Sequence, residues 1–414
     1  MLRISSRTNT VPYSPIRKLM PFANAAKAKG IEVYHLNIGQ PDIKTPTVVL
    51  DYLKNTFDKD IIRYSPSGGE ESLVTAIRNY YARREMLVDS SDILITNGGS
   101  EAIIFAILAI AEPDEEFIVP EPVYTNYVGF AAMCGVKLIP VTTYAEKGFH
   151  LPKRERIEAK INLKTRGIIL CNPNNPTGAV YSYDEIEMIV DIALKNKLFV
   201  ISDEVYGDFI FDDKKYTHLF DFYKNIPEVK NNLIVIDSVS KKYSSCGARI
   251  GAVITKNKAL MDLMIRFAQA RLCVPMIEQL AMAEAFDKCD EYLVLSSEEY
   301  QRRRDTVWKL LSQRDDIIVK KPEGAFYCMI RLPIRDAEVF AKWLLTDFSK
   351  DGETVMIAPA KGFYISPGMG HNEIRLAYVL NCEKLKKGVT LLFEAIDKYK
   401  KIEQILISGS KTIS

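Results

Sequence analysis

The sequence predicts an α/β protein whose larger part is built on a mainly parallel sheet. Seven short apolar runs lie between residues 93 and 254 without polar alternation, which is typical of strands buried on both faces. Helical patterns separate most of them, as crossovers between parallel strands require. The runs are Ile93–Ile95, Phe117–Val119, Lys137–Val141, Gly167–Leu170, Leu198–Ile201, Leu233–Ile236 and Ile250–Ile254.

Three units are expected along the chain, because 414 residues exceed one ordinary core. Residues 1–48 form an N-terminal arm that contributes a strand-like run, Val33–Ile38, to the small domain. Residues 49–300 form the large domain with the seven-stranded sheet. Its clearest helix spans Tyr183–Lys197 and begins with a capping-box pattern of Ser182 and Glu185.

Residues 301–414 are predicted to form a smaller α/β domain, after a long helical region from 259 to about 314. Helices are expected at about 336–350 and 383–401. The expected strands are Ile317–Val319, Ala325–Ile330 and Ile374–Tyr378.

Composition excludes several function classes. A hydrophobic fraction of 47% and a charged fraction of 26% are those of a soluble enzyme, and a net charge of +2 gives no reason to expect nucleic acid or a membrane surface as partner. The longest apolar run, Ala102–Ala111, is about half a bilayer span and predicts a buried helix. Seven scattered cysteines without CxxC spacing favour a reducing, cytoplasmic location and argue against a metal site.

The N-terminal 31 residues carry basic residues but no Asp or Glu. This bias weakly resembles a mitochondrial transit peptide. We favour a structural arm, because the segment SPIRKLMPFANAAKAKG has helix-like apolar spacing and continues directly into the first strand-like run.

The stretch from Leu233 to Gly251, LIVIDSVSKKYSSCGARIG, carries the most distinctive chemistry. A buried strand ends in a turn that presents Lys241, whose partly desolvated amine suits covalent chemistry with a carbonyl group. Arg249 follows eight residues later and offers a planar fork for phosphate. The simpler alternative is that Lys241 and Lys242 only solvate a strand end. Lys242 itself is expected at the surface.

Four other polar clusters follow predicted strands. Gly98 and Gly99 open a helix and form an anion site with its free N–H groups. Pro120–Tyr124 puts an aromatic ring near the strand ends. Asn172–Gly178 contains two Asn-Pro steps, a rigid turn compatible with a cis bond, and Ser202–Gly207 contains Asp203, a carboxylate that needs a cationic partner if buried.

These groups together fit pyridoxal phosphate. They comprise a phosphate cradle, a ring for stacking, hydrogen-bond donors, a carboxylate and an amine. In that order the residues are Gly99, Ser100, Ser238 and Arg249; Tyr124; Asn175 and Tyr206; Asp203; and Lys241.

The chain resembles the class I/II aminotransferases, pyridoxal-phosphate enzymes of fold type I in the aspartate aminotransferase superfamily. The resemblance runs from NIGQPD to IRLAYVL, and its most specific parts are NPNNPTG, SDEVYG and SVSKKYSSCGARIG in that order and spacing. It implies a large domain with a mainly parallel seven-stranded sheet and a smaller α/β domain.

The resemblance also implies a role for each candidate residue. Lys241 holds the cofactor covalently, Asp203 pairs with the pyridinium nitrogen, and Asn175 and Tyr206 bond the phenolic oxygen. Tyr124 stacks on the ring. The phosphate is held by Gly99, Ser100, Ser238 and Arg249, with Tyr64 from the neighbouring subunit of a homodimer that shares its active sites. Arg375 binds the substrate α-carboxylate, Asn175 also contributes to substrate binding, and the backbone of Gly39 approaches the same carboxylate.

The implied reaction is a ping-pong transamination between an L-amino acid and a 2-oxo acid, in which Lys241 is general base and acid. Aspartate with 2-oxoglutarate is the leading pair, with aromatic amino acids or alanine close behind. Arg271 is a candidate for binding a distal carboxylate if it crosses the dimer interface, although a helix-end arginine is more often structural.

Two other readings stay open. A C–S β-lyase, or a cyclising enzyme similar to 1-aminocyclopropane-1-carboxylate synthase, would share these motifs. A non-catalytic regulator on this fold would usually carry a DNA-binding module, and none is recognisable before residue 33. A nicotinamide dehydrogenase is disfavoured because no GxGxxG follows a predicted strand.

Overall fold

The computed structural model describes residue 11 and residues 13–55, 61–222 and 226–410, so the first ten residues of the expected arm lie outside the described residues. The strands, in chain order, are β1 (Glu32–His35), β2 (Ile93–Thr96), β3 (Glu116–Glu121), β4 (Lys137–Thr142), β5 (Thr165–Cys171), β6 (Phe199–Asp203), β7 (Leu233–Ser238), β8 (Gly251–Ile254), β9 (Tyr327–Arg331), β10 (Glu353–Met356), β11 (Ala358–Pro359) and β12 (Glu373–Ala377).

The helices that connect these strands are named in the same way. In chain order they are α1 (Met20–Ala28), α2 (Thr47–Asn55), α3 (Glu71–Ala82), α4 (Gly98–Ile110), α5 (Asn126–Cys134), α6 (Arg154–Glu158), α7 (Tyr183–Asn196), α8 (Val239–Lys242), α9 (Lys258–Arg271), α10 (Met276–Lys288), α11 (Asp290–Leu311), α12 (Ala337–Thr346) and α13 (Cys382–Ser410).

Within the described residues, a central sheet of seven strands has the order β2-β8-β7-β6-β5-β3-β4. Strand β8 runs antiparallel to both neighbours, β2 and β7, and every other adjacent pair is parallel. The predicted α/β class with a mainly parallel seven-stranded sheet is therefore confirmed.

Both faces of the central sheet are covered, which explains the unbroken apolar runs. In β7, Ile234 and Ile236 belong to one hydrophobic core, whereas Leu233 and Val235 belong to another. Successive side chains of a strand point to opposite faces, so a strand covered on both sides needs an apolar residue at each position. Helix α4 packs into the first core and α7 into the second.

Local signals locate the helix ends well where a capping group is present. At the start of α7, the Ser182 hydroxyl accepts a hydrogen bond from the Glu185 N–H, and the Glu185 carboxylate accepts one from the Ser182 N–H, as the capping-box pattern predicts. The expected long helical region is divided into α9, α10 and α11. The first break falls at Leu272, whose φ of 78° lies in the left-handed region, and Pro275 follows it.

The N-terminal arm supplies a strand to the C-terminal part of the chain. Strand β1 pairs in parallel with β10, and β9, β12 and β11 form a separate antiparallel sheet. The predicted strand at Ile317–Val319 is wrong in extent, because Ile318 forms only an isolated bridge with Arg331. Pro322 follows soon after and has no N–H with which to extend a ladder.

The domain boundaries at residues 48 and 300 stay a prediction. Helix α11 runs across residue 300, so the two sides of that boundary are joined by continuous helix. Among the described residues, no helix is both long enough and apolar enough to cross a membrane.

Candidate active site

A cavity of about 700 Å³ opens where strands of the central sheet end, a size within the usual range of roughly 300–1,000 Å³ for small-molecule sites. The polar turns that follow β2, β3, β5, β6 and β7 all contribute to its wall, as expected for carboxyl ends of parallel strands. The candidate residues that line it are Gly39, Gly99, Ser100, Tyr124, Asn175, Asp203, Tyr206, Ser238, Lys241, Arg249 and Arg375.

Lys241 is presented by α8, a single helical turn after β7. The Ser238 hydroxyl caps this turn by accepting a hydrogen bond from the Ser240 N–H at 3.2 Å, and it donates to the Ile250 carbonyl at 3.0 Å. The Lys241 amine donates to the carbonyl of Gly39 at 2.9 Å, and the Cys246 sulfur lies 3.7 Å from it. No carboxylate of the described residues forms an ion pair with this amine, so it is held by neutral groups that a ligand can replace.

The end of the cavity suited to an anion is the start of α4. Gly98 has a φ of 75°, and a Cβ there would overlap the guanidinium of Arg249, so glycine allows the arginine to lie against the helix end. Arg249 donates to the Cys246 carbonyl at 3.0 Å. Helix N–H groups, the helix dipole and a guanidinium together suit a phosphate.

Asp203 lies at the end of β6 and is buried. The Tyr127 hydroxyl donates to its carboxylate at 2.7 Å, yet no Lys, Arg or His of the described residues forms an ion pair with it. Burial therefore raises the pKa of Asp203 to about 6. The cationic partner expected from the sequence is not a described side chain. A protonated ring nitrogen bound in the cavity would supply it.

Aromatic and amide groups form the middle of the cavity. The Tyr206 and Tyr327 hydroxyls are 3.0 Å apart, and the Asn175 amide nitrogen lies 3.4 Å from the Tyr206 hydroxyl. Tyr124 packs edge-on against Tyr127 with their ring centroids 5.4 Å apart. Burial raises the pKa of Tyr206, so its hydroxyl is a neutral donor. Asn172–Pro173, which begins the turn that carries Asn175, is a cis peptide bond.

Arg375 lies on β12 and reaches the cavity from the other side. Its two terminal nitrogens donate to the Asn175 side-chain oxygen at 3.0 Å and to the Asn37 carbonyl at 2.7 Å. Its Nε is buried and has no hydrogen-bond partner among the described residues. Burial lowers the pKa of Arg375, and an anion would offset that penalty. The side chain is thus oriented but free to bind a carboxylate.

Position 39 must be glycine because the side chain of Tyr327 occupies the space of a Cβ there. A Cβ at this position would overlap the ring and hydroxyl of Tyr327, which packs against the Arg375 guanidinium at 4.4 Å. The backbone of Gly39 can therefore lie close to both Lys241 and the arginine, and this closeness depends on the missing side chain.

Two candidate residues do not line the cavity of the single chain. The Tyr64 residue is 76% exposed. Arg271 lies beside Glu101, with its Nε 3.4 Å from the carboxylate, and donates to the carbonyls of Ser67 and Ile95 at 3.4 and 3.2 Å. One of its two terminal nitrogens is thereby directed at backbone carbonyls of its own chain, and the other has no hydrogen-bond partner among the described residues.

The expectation that Lys242 lies at the surface is wrong. The lysine is 2% exposed, and its amine lies 2.7 Å from the Asp237 carboxylate and 3.4 Å from that of Asp208. It also lies 4.2 Å above the ring of Tyr80. The physical reason is that successive residues of a helical turn point about 100° apart, so Lys242 faces α3 while Lys241 faces the cavity.

Sequence reasoning missed two tyrosines that contact the candidate residues. Tyr127 lies in the first turn of α5, only three residues after Tyr124, and this short separation is a signal that could have indicated a shared site. Tyr327 is 121 residues from Tyr206 along the chain, and no local pattern indicates their contact.

Comparison with known proteins agrees with this geometry. The family model of aminotransferase class I and II matches residues 31–391. Aromatic-amino-acid aminotransferase 2 of Thermococcus litoralis is 30% identical over 407 residues, covering 97% of this chain and 98% of the relative. The aspartate aminotransferase of Pyrococcus horikoshii is 29% identical over 399 residues, covering 95% and 97%.

Solved structures give the same result. The aspartate aminotransferase from Rhizobium meliloti has a TM-score of 0.86 at 27% identity, covering 96% of this chain and 99% of that chain. The aspartate aminotransferase from Thermotoga maritima has a TM-score of 0.84 at 26% identity, covering 97% and 100%. The chain therefore belongs to the class I and II aminotransferase family: it is an aminotransferase of fold type I, and its cofactor is pyridoxal phosphate.

Proposed function

We propose that this aminotransferase moves the amino group of an L-amino acid to a 2-oxo acid by a ping-pong reaction, with L-aspartate and 2-oxoglutarate as the leading pair. The observation that carries the proposal is one cavity lined by the Lys241 amine, the buried Asp203 carboxylate and the Arg375 guanidinium, whose Nε has no partner among the described residues. Relatives named aspartate aminotransferases support this pair. Aromatic amino acids and alanine are the next donors.

The described residues fit pyridoxal phosphate at each of its chemical groups. Asp203 lacks a cation, which the pyridinium nitrogen supplies, and the start of α4 offers N–H groups to the phosphate. When bound, the cofactor withdraws electrons from the amino acid Cα and makes its proton acidic. The residues proposed to hold it are Lys241, Asp203, Asn175, Tyr206, Tyr124, Gly99, Ser100, Ser238 and Arg249.

The chain's own side chains then orient the amino acid and move its proton. Arg375 binds the α-carboxylate with its Nε and a terminal nitrogen, and Asn175 holds the guanidinium in place at 3.0 Å. The backbone of Gly39 approaches the same carboxylate. The Lys241 amine would take the proton from Cα as general base and, as general acid, deliver it to the carbon of the cofactor that carried the aldehyde, which needs a flexible side chain within reach of both carbons.

The assembly proposed for this function is a homodimer with shared active sites. Ile61, Ile62 and Tyr64 form an exposed stretch, 70% to 76% accessible in the single chain, which a second copy would cover. Tyr64 would then reach the phosphate of the neighbouring subunit. We also propose a cytoplasmic location, which the free state of all seven cysteines supports. The proposed domains are residues 1–48, 49–300 and 301–414.

The experiment that tests this function is a panel of amino donors given to the purified holoenzyme one at a time, without acceptor. The visible absorbance of the cofactor reports each half-reaction, and added 2-oxoglutarate should restore the starting spectrum. We expect L-aspartate to react fastest and to yield its 2-oxo acid. Release of pyruvate with sulfide from cysteine, or of a cyclised product, without amino exchange would contradict transamination and favour a lyase or a cyclising enzyme.

A further inference from the structure

The cavity has a cationic side chain that the function above does not use. Arg17 lines the cavity together with Lys241, Arg249 and Arg375. Its guanidinium forms no ion pair and donates no hydrogen bond to any of the described residues; its backbone N–H donates to Ser14, and its carbonyl accepts from the Met20 N–H. An arginine with five donors and no partner at the wall of a ligand cavity is available to an anion.

The turn that carries Arg17 is firmly attached. We call residues 14–19 the arm turn. Leu19 is buried in the core, whereas the ion pair of the Lys18 amine with Glu338 is partly exposed and contributes little to holding the turn. Ile16 packs against the small apolar cluster that contains Phe363. Because Ile16 and Leu19 are both held by apolar packing, Arg17 is presented to the cavity from a defined position.

The same contacts link the arm turn to the surroundings of Arg375. The ring of Phe363, against whose cluster Ile16 packs, lies 5.0 Å from the guanidinium of Arg375. Arg17 lines the same cavity as Arg375, whereas the phosphate end at Gly99 and Arg249 is formed by other segments of the chain. A group that extends from the amino acid Cα can meet the arm turn.

Among the described cationic residues that line the cavity, Arg17 is the one to which no anionic partner has been assigned. Of the described cationic residues that line it, Lys241 reacts with the cofactor, Arg249 faces the phosphate and Arg375 faces the α-carboxylate. Asp203 is the only acidic residue of the described cavity lining, and the pyridinium nitrogen balances it. One positive charge therefore remains, and a second substrate carboxylate would neutralise it.

The structure also separates Arg17 from the other arginine considered for this role. Arg271 is half-buried beside Glu101 and does not line the cavity of its own chain. One of its two terminal nitrogens donates to two backbone carbonyls, and its Nε and other terminal nitrogen are buried without a hydrogen-bond partner among the described residues. Arg17 has neither a carboxylate nor a carbonyl as partner among the described residues, so it is the better candidate within one chain.

We propose that Arg17 binds the distal carboxylate of dicarboxylic amino acids and 2-oxo acids, and thereby sets the preference of this enzyme for acidic substrates. The proposal rests on the transaminase function above and names its substrate class. A guanidinium and a carboxylate form two parallel charge-assisted hydrogen bonds. Discrimination from substrates with uncharged side chains then follows from the contact that those substrates lack.

The test compares Arg17→Gln with Lys18→Gln in the holoenzyme at low ionic strength. Both variants remove one positive charge from the same turn, but only Arg17 lines the cavity. For Arg17→Gln we expect kcat/KM for L-aspartate and L-glutamate to fall about tenfold to hundredfold relative to L-alanine, the usual range for a hydrogen bond to a charged group. Lys18→Gln should keep the wild-type ratio. Arg17→Lys should recover part of the loss.

A binding measurement supplies a readout that does not need turnover. Calorimetric titration of the holoenzyme with maleate, a dicarboxylate that cannot donate an amino group, should show weaker binding in Arg17→Gln and unchanged binding in Lys18→Gln. Equal affinity of both variants for maleate, or an equal loss of activity with aspartate and alanine, would overturn the proposal. If wild-type enzyme converts no amino acid at all, the transaminase function itself fails, and the two failures are thus distinct.

Discussion

The two neighbouring lysines at the end of β7 experience opposite environments. Lys241 faces a cavity and donates to one backbone carbonyl, whereas Lys242 is buried between Asp237 and Asp208 and lies above the ring of Tyr80. The Tyr80 hydroxyl also donates to Asp208 at 2.8 Å. One helical position, a rotation of about 100°, therefore separates an amine that a ligand can reach from an amine already paired with buried carboxylates.

Two buried carboxylates, Asp208 beside Lys242 and Asp203 at the cavity, differ in whether a cationic side chain of the described residues pairs with them. Burial opposes ionisation of Asp208, but the charges of Lys242 and Arg84 outweigh it and lower the pKa of Asp208 overall. Asp203 has no such cation among the described residues, and its pKa is raised to about 6. A buried charge with a protein partner contributes to the structure, and a buried charge without one is available for a ligand.

The largest expected effect is that of Lys241→Ala. We expect turnover to fall by roughly four orders of magnitude or more, because both the covalent attachment and the proton transfer depend on this amine. The visible absorbance of the attached cofactor should disappear as well. The free energy of unfolding should change by less than about 1 kcal/mol, because the side chain makes no buried ion pair. Full activity in this variant, measured by 2-oxo acid production, would refute the assignment of Lys241.

Lys242→Met should lower the stability of the fold, whereas the main effect of Lys241→Ala is on turnover. Removing the amine leaves Asp237 as an uncompensated buried charge, so urea unfolding should show a loss of about 3–5 kcal/mol. The double variant with Asp237→Asn is the matched control, since it also removes the unpaired carboxylate and should regain part of that loss. A Lys242→Met protein as stable as wild type would show that this ion pair contributes nothing net.

The smallest expected effect concerns the pH dependence of stability without cofactor. Asp203 has a folded pKa of about 6, above its ordinary value of 3.8, so the folded state binds this proton more tightly than the unfolded state. The stability of wild type relative to Asp203→Asn should therefore fall as pH rises from about 4 through 6. Urea unfolding of both cofactor-free proteins across this range measures the difference, and parallel profiles would contradict the raised pKa.

Addition of pyridoxal phosphate sharpens this last comparison. With a pyridinium nitrogen beside it, Asp203 gains the kind of partner that Asp208 already has, and the pH-dependent difference from Asp203→Asn should diminish. If the difference persists in the holoenzyme, the carboxylate does not pair with the cofactor.

The fold and most of the candidate site were predictable because their signals are local. An apolar run followed by a polar turn indicates both a strand and the edge of the sheet where the strand ends. Parallel strands then bring Asp203, Asn175 and Lys241 to one edge without further information. The strand predicted at Ile317–Val319 is reduced to one isolated bridge. Three apolar residues in a row do not show whether a second strand lies beside all of them.

The sequence alone predicted the family, the central sheet and a set of candidate cofactor-binding residues, since each signal lies within a few neighbouring positions. The burial of Lys242 beside Asp208 and the position of Arg17 at the cavity wall are visible only in the folded protein. The contact between the hydroxyls of Tyr327 and Tyr206 is likewise visible only in the folded protein. These contacts join segments far apart in the chain, and packing sets the direction in which each side chain points.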